Sequence, residues 1–103
     1  MITIETDRLV QQSAAATNLL RSLANEQRLL ILCHLAANGE LSVSALGERV
    51  RLSQSALSQH LARLRDEGIV AFRREAQTIF YHIADDKAAR LLGVLHDIYC
   101  PEL

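Results

Sequence analysis

The sequence predicts a mainly α-helical domain with one β-hairpin, in the order ααααββα. Three observations carry that expectation. Apolar residues recur at helical spacing through most of the 103 residues. Two short runs rich in β-branched and aromatic residues, 69–75 and 78–83, stand next to each other with only Ala76-Gln77 between them. The chain has two tyrosines, two phenylalanines and no tryptophan, so its core must be aliphatic, which suits packed helices. At this length, residues 1–103 are expected to form a single domain.

The elements follow in chain order. A first helix is expected from about Asp7 to Leu23, with Leu9, Leu19, Leu20 and Leu23 available for packing around an alanine-rich middle. Asn25 then caps a second helix, Glu26 to Ala37, closed by Asn38-Gly39. Its Leu29, Leu32, Cys33 and Ala36 share a face, while Leu30 and Leu35 cover adjoining directions, so this helix is expected to be central. Ser42 caps a short third helix with Val43, Leu46 and Val50 on one side. Arg51-Leu52-Ser53 forms a tight connection into a fourth helix, with Ser53 as its N-cap and Gly68 as its left-handed terminator. Leu57, Leu61 and Leu64 line one narrow face of that helix, and Ser55, Gln59, Ala62 and Asp66 point the other way. The two strands come next, and a last helix from about Asp85 to Tyr99 carries Leu91, Leu92, Leu95, Ile98 and Tyr99.

Helix, three-residue turn, helix is the spacing of a helix-turn-helix, whose second helix enters the DNA major groove. A hairpin directly after that helix is a wing, and its tip holds Arg73, Arg74, Gln77 and Thr78. The expected fold is therefore a winged helix-turn-helix. The outer face of the fourth helix carries serine and glutamine, short or planar groups that can bond to base edges or phosphates. An ordinary amphipathic helix with a polar outer face is the plainer reading of the same pattern. Charge placement favours the first: the whole chain is formally −1, yet residues 49–74 hold six arginines against Asp66 and Glu67, a local +4. One basic face on an otherwise acidic protein docks on phosphate in a single orientation. The apolar surface left over on the first and last helices is expected to pair across a two-fold axis, giving a dimer matched to a palindromic operator.

Other classes find less support. No run approaches the ~20 apolar residues of a membrane span. The opening Met-Ile-Thr-Ile-Glu-Thr-Asp lacks the basic start and small-residue cleavage site of a signal peptide, so a cytoplasmic protein is expected. There is no CxxC pair, glycine-rich phosphate loop, carboxylate cluster or nucleophile–base pattern, which argues against an enzyme. His34, His82 and His96 have no obvious ligand partner in sequence. Cys33 and Cys100, the only cysteines, stay open between small packing residues and a reactive pair.

The segments LANEQRLLILCHL, GELSVSALGERVRLSQSALSQHLARLRDEGIV, RREAQTIFYHI and LHDIYCP resemble the ArsR (arsenic-repressor) family of dimeric winged-helix regulators. Cys33 after LLIL, the EAQTIFY wing and the terminal YCP resemble most its dithiol branch. That branch includes the biofilm growth-associated repressor, the sulfide-responsive repressor and the haemolysin gene activator.

The resemblance implies double-stranded DNA and a second copy of the chain as partners. It places Gln54, Ser55, Ser58, Gln59 and His60 at base-reading positions, and Arg63, Arg73, Arg74, Gln77 and Thr78 at phosphate or minor-groove positions. It further implies a sensor in which Cys33 and Cys100 join as a disulfide or polysulfide bridge in response to persulfides or oxidants.

The family's metal sites do not carry over. Ser42 and Ser44 stand where soft-metal thiols are needed, Lys87 replaces the first histidine of the zinc pattern, and His96 is followed three residues on by Tyr99. No metal or cofactor is therefore expected. A haem-responsive regulator using Cys100-Pro101, a metal-responsive regulator of the same family and, more remotely, a thiol peroxidase are the alternatives.

Overall fold

A computed structural model describes residues 5–100 of the chain. Its elements are α1 (Thr6–Gln11), α2 (Ser13–Leu23), α3 (Glu26–Asn38), β1 (Leu41–Ser42), α4 (Val43–Arg49), α5 (Gln54–Asp66), β2 (Val70–Glu75), β3 (Thr78–Ile83) and α6 (Asp86–Tyr99). The predicted winged helix-turn-helix is present. Two details differ: the expected first helix bends at Gln12, and a short strand, β1, precedes α4. The bend is local, since Gln12 N–H still donates to Arg8 O and Gln12 O accepts from Ala16 N–H. Pro101, invoked above for a haem site, lies outside the described residues.

The expected caps are made. The Asn25, Ser42 and Ser53 side chains accept from the amides of Arg28, Ala45 and Ala56 at 3.1, 3.0 and 3.1 Å. Asp85 accepts from both Lys87 and Ala88 to start α6. At the far end of α5, Gly68 takes φ 76°, and its N–H bonds to Arg65 O while Ile69 N–H reaches Leu64 O. That crossed pair is a Schellman stop, and it needs a residue that tolerates positive φ. It also turns the chain straight into β2, so the end of α5 sets where the wing begins.

The sheet is antiparallel in the order β1-β3-β2. Leu41 lies opposite Tyr81 and Ser42 opposite Phe80; on the other side Phe72 lies opposite Tyr81 and Arg73 opposite Phe80. β1 thus ties the start of the helix-turn-helix to the wing. The core is aliphatic, as expected: Ile31, Leu32, Leu35, Leu46, Leu57, Leu61, Leu64 and Val70 are its largest fully buried side chains.

The expected face of α3 is corrected. Its buried residues are Arg28, Ile31, Leu32 and Leu35, at i, i+3, i+4 and i+7. Cys33, Ala36 and Leu30 face outward. Among the described residues, no helix is long and apolar enough to cross a membrane.

Candidate nucleic-acid interface and thiol pair

The α5 helix buries Leu57, Leu61 and Leu64 and so presents Gln54, Ser55, Ser58, Gln59 and Arg63 to solvent. Arg74, Gln77 and Thr78 are exposed on the wing. A cleft of about 810 Å³ runs between α4–α5 and the hairpin, and Gln54, Ser58, Arg65, Gln77 and Thr78 share its walls. Helix and wing therefore bring four of the ten expected contact residues, Gln54, Ser58, Gln77 and Thr78, to one cleft.

Two expected contacts are engaged elsewhere. Arg73 donates from Nε and Nη2 to the two oxygens of Glu40, each at 2.8 Å, and from Nη1 to Glu75 at 2.8 Å. Its guanidinium carbon also lies 4.4 Å from the centre of the Phe80 ring. Two carboxylates thus neutralise Arg73 before any phosphate could, and it braces the wing against the segment leading into α4. The same guanidinium holds the Glu40 carboxyl below its ordinary pKa.

His60 is half-buried, and burial followed by the Arg28 and Arg63 charges pushes its pKa down. A half-buried imidazole is less open to a base edge than the exposed Gln54, Ser55, Ser58 and Gln59. Its position one turn before Leu64 already tilted it toward the core.

Residues missed in the sequence take over part of this surface. Arg65 lines the cleft and stacks on Phe72, 5.4 Å from the ring centre. Among the described residues, Arg51, Arg65 and Arg74 enter no ion pair. The run of arginines in 49–74 was legible, but the bidentate partner of one of them was not, because Glu40 is 33 residues from Arg73.

A second cluster joins α2, α3 and the end of α5. Arg28 is only 8% exposed, and its Nη1 is 3.6 Å from Glu67 Oε1. The Ser22 hydroxyl donates to the other Glu67 oxygen. Arg28 Nε has no hydrogen-bond partner.

Cys33 is exposed on α3, not a small core residue, and Cys100 is half-buried at the end of α6, its N–H bonded to His96 O at 2.7 Å. Both are free thiols. Partial burial pushes the Cys33 thiol up from its ordinary 9.0, and the nearby Cys100 charge adds to that. The α3 helix, which carries Cys33, and the α6 helix, which ends at Cys100, are in direct contact. Among the described residues, no group of three or more histidine, cysteine or acidic side chains could hold a metal ion.

The family model for the bacterial regulatory protein, arsR family, matches residues 25–71. The transcriptional activator HlyU of Vibrio cholerae is 52% identical over 90 residues, 87% of this chain and 82% of that protein. The biofilm growth-associated repressor of Agrobacterium fabrum is 50% identical over 82 residues, 80% of this chain and 69% of that one. The solved structure of reduced HlyU from Vibrio cholerae superposes with a TM-score of 0.84 at 50% identity, covering 90% of this chain and 97% of that one.

Proposed function

Since this chain belongs to the arsR family of bacterial regulatory proteins and is a transcriptional regulator, we propose that it binds a two-fold-symmetric operator as a homodimer and is switched by reactive sulfur species through Cys33 and Cys100. The observation that carries the switch is the exposed Cys33 with Cys100 near enough for its charge to be felt. That a reduced form is distinguished for the Vibrio cholerae relative supports a thiol-based reading.

The chemistry needs no cofactor. A cysteine thiolate attacks the outer sulfur of a small persulfide such as glutathione persulfide, forming a protein persulfide and releasing glutathione thiolate. The second cysteine thiolate then attacks the inner sulfur of that persulfide, forms the disulfide and expels hydrosulfide. If both cysteines are persulfidated first, their condensation leaves a trisulfide bridge and releases one hydrogen sulfide. A direct disulfide requires Cα atoms within ~7 Å, whereas the longer bridge tolerates more.

The dimer is supported by apolar side chains that the fold does not bury. Leu9, Val10 and Leu20 on α1–α2, and Val94, Ile98 and Tyr99 on α6, remain exposed, Tyr99 by 78%. Paired across a two-fold axis, these faces set two α5 helices about 34 Å apart, one turn of DNA. Cys100 sits at the end of α6, so a bridge to α3 acts on the element that would join the protomers. A coupling of ~1–3 kcal/mol gives a 5- to 150-fold change in DNA affinity.

The test compares intact mass and operator affinity before and after glutathione persulfide, with hydrogen peroxide in parallel. A Cys33–Cys100 bridge formed together with a change in DNA affinity supports the switch. No intramolecular link under either oxidant, with DNA binding unchanged, overturns it.

A further inference from the structure

We propose that the cavity between α2, the start of α3, the end of α5 and the start of α6 is a binding site for a small oxyanion, carboxylate or phosphate, recognised by the Arg21, Arg28 and Arg63 guanidiniums. It has a volume of about 650 Å³ and includes Asn18, Glu67 and Asp85 in its wall. That volume falls in the range of small-ligand sites.

Arg28 is the core of the case. Burying a guanidinium is unfavourable unless its donors are met. Yet the Arg28 side chain, 10% exposed, makes no hydrogen bond among the described residues, and its closest carboxylate oxygen is 3.6 Å away. Three guanidiniums face two carboxylates, and both carboxylates are committed: Asp85 to the first amides of α6, Glu67 to Ser22 and Arg28. Glu67 is thus the carboxylate left for the buried Arg28, and one positive charge more than the carboxylates match remains at the exposed Arg21 and Arg63 on the cavity's rim. Two oxygens of a carboxylate or a phosphate pair with two guanidinium nitrogens at once, and Arg28 Nε has no such partner. The site shares Arg63 with the recognition helix, the link by which an occupant would act on DNA; that link rests on the regulatory reading above, while occupancy does not.

The experiment follows the Arg28 Nε–H resonance in proton–nitrogen correlation spectra of the full chain, free of DNA. The probes are succinate, inorganic phosphate and, at matched ionic strength, chloride. A saturable shift with succinate or phosphate, absent with chloride, is expected, and the stronger of the two names the class of ligand. Arg21→Gln, at an exposed position, should weaken that binding about tenfold, the scale of one charge-assisted hydrogen bond. A shift that is linear in all three salts, or equal binding in Arg21→Gln, overturns the proposal.

Discussion

Both carboxylate oxygens of Glu40 are held by Arg73, through Nε and Nη2, at 2.8 Å each. Glu40 precedes β1 and α4, and Arg73 sits in β2, so one bidentate pair locks the wing to the helix-turn-helix. Each neutralised phosphate contributes about 0.9 to the slope of log affinity against log salt. Arg73→Ala should therefore leave the slope for non-specific DNA almost unchanged, whereas Arg74→Ala should flatten it by about that amount. Glu40→Gln combined with Glu75→Gln should steepen it, because removing both carboxylates frees the Arg73 cation on the wing. Fluorescence anisotropy across a salt series distinguishes these, and a flatter slope in Arg73→Ala would return that arginine to the phosphate.

The same pair sets an acid limit. Glu40 titrates below its ordinary 4.5 because Arg73 bonds to its charged form. A depressed carboxyl contributes stability that is present above its ordinary pKa and lost as pH falls through the lowered value. The wild-type chain should thus show an acid-side loss of wing order, below about pH 4.5, that Glu40→Gln does not show. The Phe80 resonances, under the Arg73 guanidinium, provide the readout.

Glu67 balances the buried Arg28 and accepts from Ser22, so it clamps α2 and α3 onto the end of α5. Glu67→Gln keeps the shape but leaves Arg28 without its counter-charge. Because the Glu67 side chain is 39% exposed, the loss is expected to be about 1–2 kcal/mol, less than for a fully buried pair. Urea denaturation measures it; an unchanged midpoint would mean that water already satisfies Arg28.

The Arg28 result also marks where sequence reading stops. The caps at Asn25, Ser42 and Ser53, the Schellman stop at Gly68 and the Leu57-Leu61-Leu64 stripe were legible because each is a local pattern of a few residues. The buried face of α3 was not, because its repeat begins with a charged residue, Arg28, where an apolar one is looked for. The same misreading put Cys33 on the packed side, although it is exposed. β1 is only two residues long and carries no periodicity, so it exists only as a partner of β3. Gln54, Ser55, Ser58 and Gln59 could be put on one outer face from helical spacing alone, while the capture of Arg73 needed the fold.

The wing turn has a residue that its geometry does not suit. Ala76 adopts φ 56°, a left-handed conformation that costs a non-glycine residue about 1 kcal/mol. Ala76→Gly should stabilise the domain by up to about that amount, seen as a rise in Tm of a few degrees. A lower Tm would mean that glycine's greater freedom in the unfolded chain outweighs the relieved strain.

Cys33 should react slowly at neutral pH, because burial and then the Cys100 charge raise it above 9.0. The alkylation rate with iodoacetamide should keep climbing past that pH, and Cys100→Ser should move the midpoint down by removing one of the two causes. A raised thiol also contributes stability that is present below its ordinary pKa and is lost as pH rises through the higher folded value. The chain should accordingly weaken above about pH 9.0, less so in Cys33→Ser. An alkylation midpoint that ignores Cys100→Ser would separate the two thiols.

Gln59 stands exposed on α5, on the side away from Leu57, Leu61 and Leu64. A side-chain amide there can pair with a base edge by two hydrogen bonds, and it carries no charge with which to hold phosphate. Its removal should therefore act on specificity alone. Gln59→Ala is expected to lower operator affinity by ~1–3 kcal/mol, roughly 5- to 150-fold, while binding to random-sequence DNA and its salt slope stay as they were. Competition binding with operator and scrambled duplexes at one fixed salt concentration gives both numbers. Equal loss on the two duplexes would take Gln59 out of base reading and leave Gln54 and Ser58, on the wall of the cleft, as the readers.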